Sequence, residues 1–309
     1  MLIAFVHAGK SFLPGIQAYS NFFSNYGIET KSVLKTGLSE IQADVEWHFM
    51  GTHYKRKNPA AIVIHEYASA SVPPFTNLKN LLKRKFNIQP DFRIYLNQFV
   101  MNKLQFSDTV STGYRDLGLS KEFLNAPERQ HHNEEVYDFI YCGSISRDLK
   151  IHKLLNHFTS ELKEQTILIL SKNYQHLIQE FKKADNIFFA GPVLQSEIPA
   201  YLGKARFAIN FKPDVEPHNQ QTATKLIEYT ACKIPVITSD FSWVREFQQR
   251  YGGEYFYLNE DLSNFTWENI NRVKYSFPDL SELTWEHQIR NSGVLDFLST
   301  KFPALKWQS

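Results

Sequence analysis

Apolar and polar positions along this chain recur in one order: a short apolar run, a loop carrying glycine or proline, then an amphipathic stretch at helical spacing. Leu2–Val6 is the first such run and reads as a buried strand. It is followed by a loop over His7–Gly15 with Gly9, Pro14 and Gly15, and by a helix predicted over Ile16–Tyr26 that stops at Gly27. Thr30–Leu34, Val45–Met50 and Ala60–Ile64 read as further strands, the last running into His65-Glu66-Tyr67, and Phe92–Leu96 and Thr109–Val110 repeat the pattern weakly. Lys121–Glu135 is polar, contains Pro127 and has no periodicity, so it reads as a linker. Past it the rhythm restarts with strands predicted at Tyr137–Cys142, Thr166–Leu170, Ile187–Phe189, Phe207–Asn210 and Val236–Thr238. Helices predicted at Ile151–Leu162, Tyr174–Lys183 and Ser196–Leu202 and one starting near Thr222 fall between them. Trp267–Lys306 is mostly helical, broken at Phe277-Pro278 and Phe302-Pro303.

Strands alternating with helices imply parallel sheets covered on both faces, with ligands bound in the crevice beyond the carboxyl ends of the strands. The expected class is α/β with two Rossmann-like domains, 1–130 and 131–275, and a helical segment 276–309 that crosses back toward the first. A length of 309 residues is long for a single core and suits two.

Composition removes several function classes. With 43% hydrophobic and 21% charged residues the chain is neither disordered nor fibrous. A net charge of +2, with no Arg-Gly or aromatic RNA-binding signature, does not point to nucleic acid. No run approaches the ~20 apolar residues that span a bilayer, and MLIAFVHAG lacks the leading positive charge of a signal peptide, so a cytoplasmic location is expected. Cys142 and Cys232 are the two cysteines, without a C-x-x-C or a Cys/His cluster at zinc spacing, which fits a reducing compartment and leads to the expectation of no metal and no cofactor.

Thr222–Asp240 carries the chemistry. Thr222 and Thr224 are capping residue types, and Leu226, Ile227 and Tyr229 follow at helical spacing, so free amides and a positive dipole end are expected near Thr222. Such an end favours phosphate oxygens, and Lys225 places a cation where helix starts usually carry acids. Glu228, one turn on, can accept hydrogen bonds from vicinal hydroxyls such as those of a ribose. Each of these residues taken alone also fits a plainer role as a cap, a solvated lysine or a surface acid.

FIYCGSISRD at 139–148, TILIL at 166–170, NIFFAGPVLQSEIPAYLGKARFAINF at 186–211 and TKLIEYTACKIPVITSD at 224–240 together resemble the nucleotide-sugar domain of the family 4 type glycosyltransferases. These are retaining enzymes of the two-domain GT-B fold. The resemblance covers roughly 100 residues in matching order and spacing; the first half is similar to the acceptor domain more loosely, through the glycine loop before Ile16 and through His65. It implies a nucleotide-diphosphate sugar as donor, UDP being commonest in the family, and a glycan or lipid-linked acceptor in surface polysaccharide or glycolipid assembly. It implies that Gly143 and Ser144, the amides of Thr222, Ala223 and Thr224, and Gly15 approach the diphosphate sugar, that Pro192-Val193 lies against the base, and that Glu228 holds the ribose. Lys225 and Arg147 match the family's basic residues on the diphosphate, Arg147 being shifted because Ser144 follows Gly143. His65 matches a histidine near the donor sugar, and Gly15 also fits a simple turn. Gln220 stands where the family commonly has the first of two glutamates eight positions apart, which keeps hydrogen bonding to the sugar but removes a charge.

The implied reaction moves a sugar to an acceptor hydroxyl with retention, stabilising the departing diphosphate by helix amides, Lys225 and Arg147 without a metal. A second reading, motivated by Gln220, is a transferase-like binding or partner subunit that has lost turnover. A third is an inverting enzyme that uses His65 or Asp108 as base. Asp44-Val45-Glu46 and Asp214-Val215-Glu216 resemble acid pairs of metal-dependent transferases of another fold but are read as chance, and HAGKSFLPG lacks the glycine pattern of a dinucleotide oxidoreductase. LKNLLKRKF at 78–86 predicts an amphipathic helix whose apolar stripe packs inward; the alternative is peripheral contact with an anionic membrane surface.

Overall fold

The computed structural model describes residues 1–9, 13–71, 74–126, 136–143, 145, 151–216 and 218–307. The chain forms two compact units, Met1–Gly118 together with Glu282–Ser309, and Leu119–Ser281. The division falls at Gly118, earlier than the polar stretch that reads as a linker, and the short helix Lys121–Leu124 belongs to the second unit.

The first unit holds a parallel sheet of β1 (Leu2–His7), β2 (Glu29–Leu34), β3 (Val45–Phe49), β4 (Ile62–Tyr67), β5 (Phe92–Tyr95) and β6 (Thr112–Tyr114), ordered β2-β1-β3-β4-β5-β6. The second holds β7 (Tyr137–Cys142), β8 (Ile167–Leu170), β9 (Ile187–Ala190), β10 (Ala205–Asn210), β11 (Val236–Ser239) and β12 (Phe256–Leu258), ordered β12-β11-β10-β7-β8-β9 and also parallel. Both sheets are covered by helices, the arrangement that alternating apolar runs and amphipathic stretches require. The weak run at Thr109–Val110 lies just before β6. β12, the helices Gln98–Leu104 and Ser242–Tyr251, and the single-turn 3₁₀ segments among the described residues were not read from the pattern.

Burial on both faces lets polar residues sit inside strands. β3, VEWHF, is buried at every position. Successive side chains alternate faces, so Val45, Trp47 and Phe49 join Ile3, Phe5 and Tyr19 on one side while Glu46 and His48 face the other. The C-terminal segment completes the first unit's core: Ile289, Val294 and Leu298 are fully buried in the same cluster. The carbonyl of Ser292 lies so close to β6 that a Cβ on Gly113 would meet it at 1.8 Å. The crossing back of this segment to the first domain is therefore direct backbone packing.

The helix Thr76–Phe86 reverses one expectation. Its single buried residue is Asn80, whose Nδ2 donates to Lys103 O at 2.9 Å, while Leu78, Leu81, Leu82 and Phe86 are 41–52% exposed. The helix is anchored through its polar face, and the apolar stripe predicted to pack inward points to solvent.

Candidate functional site

In the second sheet the strand order reverses between β7 and β10, where nucleotides bind in open α/β sheets. The segment leaving β10 enters the helix Thr224–Ala231, which forms because Leu226, Ile227, Tyr229 and Thr230 are buried against the sheet, and which ends before Lys233 at φ +54° and Pro235. Its N-cap is Ala223 and not a threonine, and no side chain caps it. The N-cap side chain therefore leaves the amides of its first turn uncapped, as an anion site needs. Tyr229 locks this helix to the end of β7: its hydroxyl accepts from Cys142 N at 3.0 Å and donates to Cys142 O at 3.3 Å. Gly143 follows directly, its N–H donating to Leu170 O at 3.1 Å.

Glu228 is 3% exposed and so is not a surface acid. Lys225 Nζ donates to its Oε2 at 2.6 Å, and Gln195 Nε2 donates to its Oε1 at 3.4 Å. Gln195 lies just past the turn Gly191–Leu194, where Pro192 is exposed and Val193 half-buried, so the turn after β9 is brought to the same carboxylate. Burial pushes the Cys142 thiol up to about 12, with Lys225 lowering it and Glu228 raising it. Gln220, half-buried, donates through Nε2 to Ser242 Oγ at 2.7 Å, and Ser242 Oγ donates to Asn219 O at 3.1 Å, tying the loop before the helix to the start of Ser242–Tyr251. Ser144 and Arg147 lie outside the described residues. The fold thus gathers Gly143, Thr222, Ala223, Thr224, Lys225 and Glu228, with Pro192-Val193 joined through Gln195.

The residues named in the first unit have different surroundings. A Cβ on Gly15 would meet the Arg115 guanidinium at 3.3 Å; that guanidinium is buried and paired with Glu66, so the close approach at Gly15 is to protein. Tyr19 Oη and Trp47 Nε1 donate to Glu66 Oε2 at 3.1 and 2.9 Å, so Glu66 faces away from its neighbour His65 across the pleat. His65 lies inside β4, has no exposed surface, and meets His53 Nδ1 through Nε2 at 3.0 Å. Asp108 is gripped by Arg93 at 2.5 and 2.6 Å, and those hydrogen bonds hold its carboxyl below the usual range, which disfavours it as a base.

Two groups near the site gave no motif. Gln195 was hidden in a predicted helix start, where an amide looks like ordinary surface. Lys212, just beyond β10, is brought down to about 8 by burial. It lines a cavity of about 600 Å³ with Asp214, Ser239, Asp240, Asn259 and Asp261, beyond the carboxyl ends of β10, β11 and β12. Only the knowledge that β12 exists, and continues that edge, places them together.

Residues 137–267 match the family described as Glycosyl transferases group 1, a span that takes in β7 to β12 and the residues gathered around Glu228. The match lies within the second unit, which is thus similar to the group 1 glycosyl transferases. No curated protein matches the chain in sequence. Among solved structures, AviGT4, a glycosyltransferase involved in avilamycin A biosynthesis, aligns over 99% of this chain and 98% of its own at a TM-score of 0.58 and 10% identity. Sucrose-phosphate synthase from Thermosynechococcus elongatus aligns over 97% of both chains at 0.56 and 11%. The UDP-GlcNAc 2-epimerase of Methanocaldococcus jannaschii, solved with UDP-GlcNAc and UDP, aligns over 96% of this chain and 100% of its own at 0.55 and 10%. Identities this low show the fold, which is GT-B in both units of this glycosyltransferase-like chain. An epimerase shares it, so the reaction must be argued from the site.

Proposed function

We propose that the chain transfers a sugar from a nucleotide-diphosphate sugar to an acceptor hydroxyl, the diphosphate resting on the start of the helix Thr224–Ala231 and the ribose hydroxyls on Glu228. The observation that carries this reading is the buried Glu228 carboxylate one turn above uncapped helix amides, held by Lys225 at the point where the sheet order reverses. A buried carboxylate with a single partly exposed cationic partner is poised to accept further donors. Lys225 bridges the two halves of the ligand: it neutralises Glu228 before binding and can turn toward diphosphate oxygens, where negative charge grows as the glycosidic bond breaks. Arg147 is proposed to share that role on the strength of its match to the family's basic residue.

The proposed donor is a UDP-sugar, supported by the UDP and UDP-GlcNAc bound in the epimerase of the same fold. Retention is proposed because the site offers stabilisation of the departing phosphate, which can itself take the acceptor proton. The acceptor is proposed to be a glycan or lipid-linked glycan in surface polysaccharide or glycolipid assembly, reached at an anionic membrane surface through the helix Thr76–Phe86. There the exposed Leu78, Leu81, Leu82 and Phe86 lie with the half-buried Lys79 and the exposed Lys85, while Lys83 and Arg84 bond back to Ser71 Oγ and Leu104 O. No helix among the described residues is long and apolar enough to cross a membrane, so such contact would be peripheral. A second reading, a binding subunit without turnover, is favoured by Gln220, whose amide is occupied with Ser242.

Isothermal titration with UDP, GDP, ADP and CMP sugars, followed by a donor-hydrolysis and transfer assay on the ligand that binds, separates these readings. Binding with turnover supports the transferase, binding without turnover the subunit, and absence of binding to all four removes the site assignment.

A further inference from the structure

The first unit contains a cluster that plays no part in the proposed transfer. Glu46 and His48 come from one face of β3, His65 is the register partner of His48 on β4, and His53 stands in the connecting loop. All four are buried, at 1%, 2%, 0% and 8% exposure. The His48 and His53 rings stack at 3.8 Å between centroids. The loop is pinned on both sides of His53: its N–H donates to Asn87 Oδ1 at 2.9 Å, and Ile88 N donates to its carbonyl at 2.8 Å.

Hydrogen-bond bookkeeping shows what the cluster lacks. His53 Nε2 lies 3.1 Å from Lys55 O, which can only accept, so Nε2 carries the proton and Nδ1 accepts from His65 Nε2 at 3.0 Å, a bond that a bound ion would replace. A backbone carbonyl on the far nitrogen is the usual orienting contact of a metal-ligating histidine. His48 meets Glu46 Oε2 through Nε2 at 3.4 Å, and the Nδ1 atoms of His48 and His65 are buried without a partner. Glu46 forms no ion pair with a lysine or arginine among the described residues; its partner is His48. A buried carboxylate without a lysine or arginine partner is short of positive charge. Lys35 Nζ is turned to Thr52 O at 2.5 Å.

Glu46, His48 and His53 each offer a ligand atom, and these atoms lie within 4.8 Å of one another. The edge of a tetrahedral zinc site, with donors at about 2.0–2.1 Å from the ion, is roughly 3.3–3.4 Å. The 3.4 Å between His48 Nε2 and Glu46 Oε2 already meets it. We propose that Glu46, His48 and His53 form a buried binding site for a divalent transition-metal ion, zinc by its mixed imidazole and carboxylate donors, with His65 bordering it. The ion is structural: it fastens the loop carrying His53 to β3 and supplies the charge that Glu46 lacks. His65 then serves this site rather than the donor sugar.

The test is metal analysis of the intact chain, purified without a metal-affinity tag and dialysed against a weak chelator, followed by cobalt titration of the stripped protein. Zinc retained in stoichiometric amount, intense visible cobalt bands of tetrahedral coordination, and a drop in cobalt affinity on the order of 100-fold in Glu46→Gln and in His53→Gln are expected. Cobalt bound only weakly, with the pale spectrum of an octahedral aqua ion and equal affinity in both variants, would show surface histidines at work and overturn the proposal. Should the variants fail to fold, the wild-type zinc content and cobalt spectrum decide on their own. None of these readouts depends on sugar transfer.

Discussion

Replacing Glu228 by glutamine keeps the shape of the side chain and an acceptor for Gln195, but removes the charge that faces Lys225 and, in the proposed site, the ribose. Glu228 is 3% exposed, so its hydrogen bonds form largely out of water. Bonds to a charged acceptor contribute about 1.5–3 kcal/mol each, roughly twice a neutral one. Converting two of them to neutral bonds should cost about 2.5 kcal/mol of binding, roughly 60-fold in Kd at 1.4 kcal/mol per decade. The effect on folding is small by comparison. The Lys225 side chain is 32% exposed, so water takes over its solvation and the lost pair costs below about 1 kcal/mol, a fall in Tm of about 3 °C or less for a domain of this size. The measurement is calorimetric titration of wild type and Glu228→Gln with UDP and a UDP-sugar, beside thermal melts of both. If the wild type binds and the variant binds within twofold of it, Glu228 is not the ribose anchor. A melt lowered by ten degrees or more with unchanged affinity would make Glu228 a structural residue.

Tyr229→Phe removes the hydroxyl that both accepts from Cys142 N and donates to Cys142 O, leaving two buried backbone groups unpaired; a loss of about 1–3 kcal/mol is expected by urea denaturation, and an unchanged midpoint would mean that the helix is held by packing alone. Asp108→Asn leaves the buried Arg93 guanidinium, 3% exposed, without its carboxylate and should cost about 3 kcal/mol at neutral pH. Because Arg93 lowers the pKa of Asp108, the wild-type contribution is fully present above the unfolded carboxylate pKa near 3.9 and disappears as pH falls through the folded value. The gap between wild type and variant, followed by denaturation across the acid range, should therefore narrow toward low pH, and a gap independent of pH contradicts the assignment. Leu81→Glu with Leu82→Glu, at positions 49% and 41% exposed, should leave stability within about 0.5 kcal/mol yet abolish co-sedimentation with vesicles rich in anionic lipid; equal sedimentation of variant and wild type rules out the helix Thr76–Phe86 as the membrane contact.

What the residues alone determined is the part that depends on local pattern. Apolar runs at strand length, each followed by an amphipathic stretch, determine parallel α/β units. The string from Tyr137 to Asp240 carries enough order and spacing to mark the likeness to the group 1 glycosyl transferases, and Thr224–Ala231 announces its helix through Leu226, Ile227 and Tyr229. Periodicity reports which residue types share a face, not what that face meets. Leu78, Leu81 and Leu82 form an apolar stripe in either case, and only the packing of Asn80 against Lys103 O turns it outward. Glu228 reads the same whether exposed or buried, until β9 delivers Gln195 to it. Glu46, His48, His53 and His65 have no spacing of a metal motif, because their proximity comes from the register of β3 against β4 and from a loop pinned by Asn87 and Ile88. Contacts between strands and loops distant along the chain are set by how whole layers dock, and no window of neighbouring residues encodes that docking.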